Sequence, residues 1–203
     1  SLAAGNPNQY IARDAYGYNL NYFAGDYVPI NNTVNPFPGV SAYLGSEHKP
    51  LYNGNISSMA VSLRFPNATS VQGTQLYNYS YDQLNRITAM DVYRGFNSGG
   101  HTWSAITVTT DYKERMAYDA NGNILKYLRN GISTISTAMD SLKYSYYAGT
   151  NRLKFVRDNV ADNVYTNGAN GVEDINNQST INLVTNPDTT NYKYSNIGNL
   201  RAD

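Results

Sequence analysis

His48, in Ser-Glu-His-Lys-Pro, and His101, in Gly-Gly-His-Thr-Trp, are the two side chains suited to carrying a proton near neutral pH. A serine–histidine–aspartate relay is defined by geometry, and the residue types alone do not announce one. Both histidines lie among Gly, Ser and Pro, so the expected role is a solvated or capping side chain in a loop. No Gly-x-Ser-x-Gly elbow, phosphate-cradling loop, dinucleotide fingerprint or His-Glu-x-x-His occurs. Asp158, Asp162, Glu173 and Asp174 offer the oxygen ligands that calcium prefers, but their spacing fits no EF-hand loop, and a polar solvated stretch is expected. Paired carboxylates for glycoside cleavage need a separation of a few ångströms, which spacing along a chain does not specify. No catalytic residue, metal ligand or cofactor is assigned, and a non-enzyme is expected.

The tyrosines are the more informative set. There are 20 of them, against 28 Asn and three Glu. Exposed rings could form a platform for sugar faces, and that reading makes the chain a glycan or cell-surface binding module. Alternatively, each ring packs across strands on its neighbour and keeps its hydroxyl at a wet edge. The rings that stand just before turns occupy equivalent places, which favours packing.

These rings must be positioned by strands. In Tyr77-Asn-Tyr-Ser-Tyr81 the aromatics alternate with polar residues, the side-chain period of a β-strand. Asp82-Gln-Leu-Asn85 breaks the run, and alternation resumes at Arg86 with Ile87, Ala89, Asp91 and Tyr93 on one side. Strand, polar turn and strand make a hairpin. Weaker versions follow at Met116-Ala-Tyr-Asp-Ala-Asn-Gly-Asn-Ile124, at Tyr144-Ser-Tyr-Tyr-Ala-Gly-Thr-Asn-Arg-Leu153 and at Tyr192-Lys-Tyr-Ser-Asn-Ile-Gly-Asn-Leu200. The tyrosines before these turns, Tyr81, Tyr118, Tyr146 and Tyr194, are 37, 28 and 48 residues apart. Such spacing suits one supersecondary unit repeated with loops of different length. The structural repeat positions are Tyr79, Tyr81, Asp82, Arg86, Tyr118, Asp119, Gly122, Tyr144, Tyr146, Arg152, Tyr192, Tyr194 and Gly198. The Asp after the tyrosine is expected to hold turn amides, and Arg86 and Arg152 to stack on rings or pair with carboxylates.

Residues 1–75 form an irregular N-terminal β and loop segment, and 76–203 carry the hairpins with a polar insert at 158–190. Strands are expected over 16–22, 56–65, 124–129, 141–147 and 152–157. Asn35-Pro-Phe-Pro-Gly39 reads as a loop. Residues 111–118 could pair charges on a helix, yet their place before the Asn121-Gly122 turn makes them a strand.

Composition narrows the classes further. The formal net charge is zero, so no general field favours nucleic acid or an anionic membrane. Cysteine is absent, which fits an exported chain. No apolar run approaches the ~20 residues of a membrane helix. There is no basic-then-apolar start, so any signal peptide is expected to be removed or far upstream.

Tyr81-Asp82 followed by Asn85-Arg86-Ile87, and Tyr118-Asp119 followed by Asn121-Gly122-Asn123-Ile124, resemble the tyrosine-aspartate (YD) repeats of bacterial RHS proteins. The copy at Tyr146-Tyr147 lacks the Asp, and Tyr194-Ser195 replaces it with Ser. The resemblance implies an all-β fold of tandem hairpins in a curved or spiral antiparallel sheet, part of a YD shell. It implies a structural segment of a large secreted or surface-attached protein, in a family whose shells can enclose toxins. The implied partners are adjoining hairpins, from the same polypeptide or a neighbour, and secretion machinery. The last hairpin has barely begun its return strand at residue 203, which is expected of a segment completed by other polypeptide.

Overall fold

A computed structural model of the chain describes residues 15–63, 73–160 and 192–202. The protein is built mainly from antiparallel β-structure. One sheet holds eight strands, each hydrogen-bonded to the next in sequence. They are β1 (Tyr16–Asn21), β2 (Ser58–Leu63), β3 (Gln75–Tyr81), β4 (Ile87–Asn97), β5 (Thr102–Tyr118), β6 (Ile124–Asn130), β7 (Ala138–Tyr146) and β8 (Leu153–Asp158). A second, two-stranded sheet pairs β9 (Lys193–Tyr194) with β10 (Leu200–Ala202). A single helical turn, α1 (Ser41–Leu44), runs into a 3-10 turn at Gly45–Glu47. The all-β expectation holds, and 111–118 is strand. Phe65, expected to end a strand, lies outside the described residues, as do positions 161–190 of the insert with Asp162, Glu173 and Asp174.

The chain divides into two compact units, one of residues 1–77 with 93–107 and one of 78–92 with 108–203. In the first, β1 and β2 pair antiparallel from Tyr16 opposite Leu63 to Asn21 opposite Ser58. Its core gathers Val40, Leu44, Ala60, Leu76, Tyr93 and Trp103, with Phe37, Phe96 and Ile106 packed against them. Trp103 is fully buried, and its indole N–H donates to the Pro38 carbonyl at 3.2 Å. Phe37 and Phe96 stack at 4.9 Å, and both meet Trp103 edge-on. The proline-bearing loop at 35–39, unable to continue a ladder, thus supplies the lid of this core. Gly95 has φ +123, and a Cβ there would lie 2.7 Å from the Ser104 carbonyl oxygen, so only glycine lets the two backbones approach.

In the second unit β5, β6, β7 and β8 form successive antiparallel pairs. The register slips by one residue at Ala117/Tyr118, Arg129/Asn130 and Ser145/Tyr146. Such bulges bend a strand and re-aim the side chains beyond them. Ion pairs between strands brace this unit. Arg115 takes both oxygens of Asp91 at 2.6 and 2.8 Å, and Arg129 reaches Asp140 at 2.5 Å.

Candidate functional site

The residues singled out by the tyrosine-aspartate pattern lie at hairpin turns of the second unit. Each turn is closed by two main-chain hydrogen bonds. At the first, Asp82 N–H donates to Arg86 O and Asn85 N–H to Asp82 O, both at 3.0 Å. Asp119 with Asn123 and Gly122, and Ser195 with Asn199 and Gly198, make the same two bonds, while Tyr147 with Arg152 and Thr150 closes a turn one residue longer. A left-handed residue is needed in each: Asn85 at φ +62, Gly122 at +90, Gly149 at +70 and Gly198 at +89. A tight turn followed by a left-handed residue is a standard solution for closing a twisted hairpin.

The side chain at the head of each turn determines how its amides are held. Asp82 Oδ1 accepts from Leu84 N–H at 2.9 Å and from Arg86 N–H at 3.0 Å, while Oδ2 accepts from Arg86 Nε at 2.6 Å. Asp119 Oδ1 accepts from Asn121 and Asn123 N–H at 2.9 and 2.8 Å, and Oδ2 from Asn123 Nδ2 at 2.8 Å. These donors hold both carboxyls below the usual aspartate range, led by the Arg86 amide for Asp82 and by the Asn123 side chain for Asp119. Ser195 Oγ accepts from Asn199 N–H at 3.0 Å. Where Tyr147 stands in place of an acid, the Thr150 hydroxyl takes the Arg152 amide at 3.2 Å.

Neighbouring hairpins are tied by the tyrosines. Tyr118 donates its hydroxyl to Ile87 O at 2.8 Å, and Tyr146 donates to Ile124 O at 2.9 Å. In both cases the acceptor is the first residue of the preceding return strand. The Arg86 guanidinium lies 4.5 Å over the Tyr118 ring and donates to Asp119 O at 3.1 Å. Arg152 sits between the rings of Tyr147 and Tyr194, 5.8 and 5.6 Å from their centroids. Those two rings meet edge-on at 6.0 Å, and the Tyr147 hydroxyl donates to Tyr192 O at 2.9 Å. Asn121 and Asn123 both donate to Asn151 Oδ1, at 3.1 and 2.9 Å. Tyr79 and Tyr81 are half-buried on β3, and Tyr144 stands opposite Val156 on β7. Burial raises the pKa of the Tyr81, Tyr144 and Tyr146 hydroxyls, so none is a ready base.

The histidines fall in the first unit and in different settings. His48 is 5% exposed, not solvated as its sequence context suggests, and its Nε2 lies 3.0 Å from Ser57 Oγ. Ser57 is fully buried and donates its hydroxyl to Asn21 O at 2.8 Å. That leaves Nε2–H of a neutral imidazole as the donor to Ser57, and a buried serine already donating elsewhere is no nucleophile. Burial lowers the His48 pKa, against a smaller opposing effect of Asp26. His101 is exposed at φ +49, with Nε2 3.2 Å from Pro36 O. Among the described residues no three His, Cys, Asp or Glu side chains converge as a metal site. Asp158 is fully buried, and its Oδ1 accepts from Ser141 and Val160 N–H at 2.9 and 2.8 Å. It works there as a clasp on the backbone, not as a solvated ligand.

Sequence reasoning missed the Asp91–Arg115 and Arg129–Asp140 pairs, since partners 24 and 11 residues apart are named only by strand register. Tyrosines that are well exposed, Tyr16, Tyr18, Tyr27 and Tyr52, lie in the first unit and away from the turn positions. No protein-family model, curated protein or solved structure matches the chain.

Proposed function

We propose that the chain is a non-catalytic structural segment, a stretch of hairpin wall in a larger secreted bacterial protein of the RHS type. One observation carries this reading: in two successive hairpins the tyrosine before the turn is spent on the backbone of the hairpin before it, Tyr118 on Ile87 and Tyr146 on Ile124. Side chains committed in this way serve cohesion between hairpins and leave little for a substrate. The equivalent closing bonds at Asp82, Asp119 and Ser195, with a turn one residue longer at Tyr147, support a tandem repeat of one unit. Such a segment acts by enclosing or displaying something, and its open strand edges are completed by adjoining hairpins.

A second reading, a binding module for neutral glycans, is favoured by Tyr16 and Tyr18. Both are exposed on β1 with ring centroids 5.6 Å apart. Sedimentation and hydrogen exchange on the full 203-residue chain separate the two. The wall reading expects concentration-dependent self-association and joint protection of amides across β5 to β8. A strictly monomeric chain that binds dextran, and loses that binding in Tyr16→Ala/Tyr18→Ala, overturns it.

A further inference from the structure

The first unit holds a cavity of about 210 Å³, walled by the end of β1, the turn that follows it, the segment 36–41 and His48. Local bonds fix this wall. Asp26 N–H donates to Phe23 O at 3.3 Å, and Asp26 Oδ2 accepts from Tyr22 N–H at 2.6 Å. The turn thus closes on itself, with Phe23 and Asp26 both lining the cavity. Phe23 is held by stacking on Tyr52 at 4.8 Å, and Phe37 by stacking on Phe96 at 4.9 Å. The cavity exceeds the roughly 150 Å³ that accommodates benzene and falls short of the ~300–1,000 Å³ of an ordinary ligand pocket.

Among the lining residues Asp26 alone carries a charge, and among the described residues no Lys or Arg pairs with it. His48 lies on the wall while Ser57, which occupies its Nε2, does not, so the ring turns another edge to the cavity. Nδ1, a lone-pair acceptor in this tautomer, is buried without a partner. A buried acceptor left unpaired costs the fold its desolvation penalty, so a donor brought in here is favoured. Asp26 is near enough to His48 for its charge to act on the imidazole. One donor group can therefore serve both.

We infer that this cavity binds a small primary ammonium, as a free amine or as the end of a lysine side chain from another polypeptide. Several N–H groups on one cationic nitrogen suit a carboxylate and a neutral imidazole together. The rings of Phe23 and Phe37, with the exposed Tyr27, can meet the cation or the carbon chain that carries it. An anion would face the Asp26 carboxylate and a lone pair. A divalent metal would find fewer donors in Asp26 and His48 than the roughly three or four protein ligands that zinc takes. The hairpins of the second unit take no part, so failure here leaves the wall reading standing.

The test is calorimetric titration of the full chain with phenethylammonium, Nα-acetyl-lysine amide and uncharged 2-phenylethanol. Trp103 emission gives a second readout, since Phe37 meets Trp103 edge-on at 6.1 Å. The expected result is saturable binding of at least one amine, roughly tenfold or more tighter than the alcohol. Asp26→Asn should weaken amine binding roughly tenfold or more, while its amide oxygen still accepts the Tyr22 N–H. Phe23→Leu should weaken it about two- to fivefold. No amine binding tighter than about 1 mM, an alcohol that binds as well as the amines, or amine binding unchanged in Asp26→Asn overturns the inference. The alcohol comparison is made on the parent chain and does not depend on how a variant folds. Tighter phenethylammonium binding identifies a free amine as the ligand, and tighter acetyl-lysine amide binding a partner's side chain.

Discussion

The Arg86 guanidinium lies over the ring of Tyr118, 4.5 Å from its carbon to the centroid, while the Tyr118 hydroxyl donates to Ile87 O. One hairpin thereby grips both the face and the tip of the next hairpin's tyrosine. Tyr118→Phe keeps the face contact and orphans one carbonyl, which should cost about 1 kcal/mol. Tyr118→Ala loses both and should cost about 3 kcal/mol or more. A double-mutant cycle with Arg86→Ala should return a coupling of about 0.5–1 kcal/mol. Urea unfolding midpoints measure all three, and zero coupling would show that the stacking is incidental.

Acid should loosen the turns in a defined window. Asp82 and Asp119 have folded-state pKa values below their unfolded ones, because turn N–H groups favour the carboxylate. A depressed carboxylate pKa adds stability that is complete above the unfolded value, near 4, and is lost as pH falls through the folded value. Melting temperature should therefore drop below about pH 4. Asp82→Asn/Asp119→Asn should melt lower at pH 7 and show a shallower acid limb. An unchanged acid limb in that variant would place the sensitivity elsewhere.

His48 should act in a separate window. Its pKa is lowered by burial, so the unfolded chain binds the proton more readily than the folded one. Stability should then decline as pH falls below the unfolded value of about 6.5. His48→Gln can still offer a donor to Ser57 Oγ and cannot titrate. Melts between pH 7.5 and 5 should slope for the parent and lie flat for the variant; equal slopes refute the assignment.

The hairpins were legible because period two and turn chemistry are both local. Tyr77, Tyr79 and Tyr81 announce a strand, and Asn85, Gly122 and Gly198 occupy the left-handed positions that their types favour. What pairs with what was not legible. Three one-residue bulges sit between Ala117 and Tyr146, and a slip of one residue turns every later side chain to the other face. The placing of Lys126 opposite Lys143 and the Arg129–Asp140 pair exist only in the final register. The burial of His48 and Trp103 was hidden for another reason. The imidazole is covered by Ser57, nine residues on and past a turn, and the indole by the Pro38 loop, 65 residues back. The four-residue α1 is too short for any amphipathic period to show.

Two glycines with positive φ should respond differently to an added methyl group. Gly149, at φ +70, has open space where a Cβ would go, so Gly149→Ala meets only the left-handed backbone penalty of about 1–2 kcal/mol. Gly95, at φ +123, would set its Cβ 2.7 and 2.8 Å from the carbonyl oxygens of Ser104 and Ala105. Those atoms belong to main chain and cannot swing aside, and φ +123 lies beyond the left-handed well. Gly95→Ala should therefore cost about 3 kcal/mol or more and shift the fluorescence of Trp103, the core residue just before Ser104. Trp103 is the chain's single tryptophan, so one emission spectrum reads this unit alone. Equal losses at the two positions, with emission unmoved, would mean that the strands part without cost at Gly95.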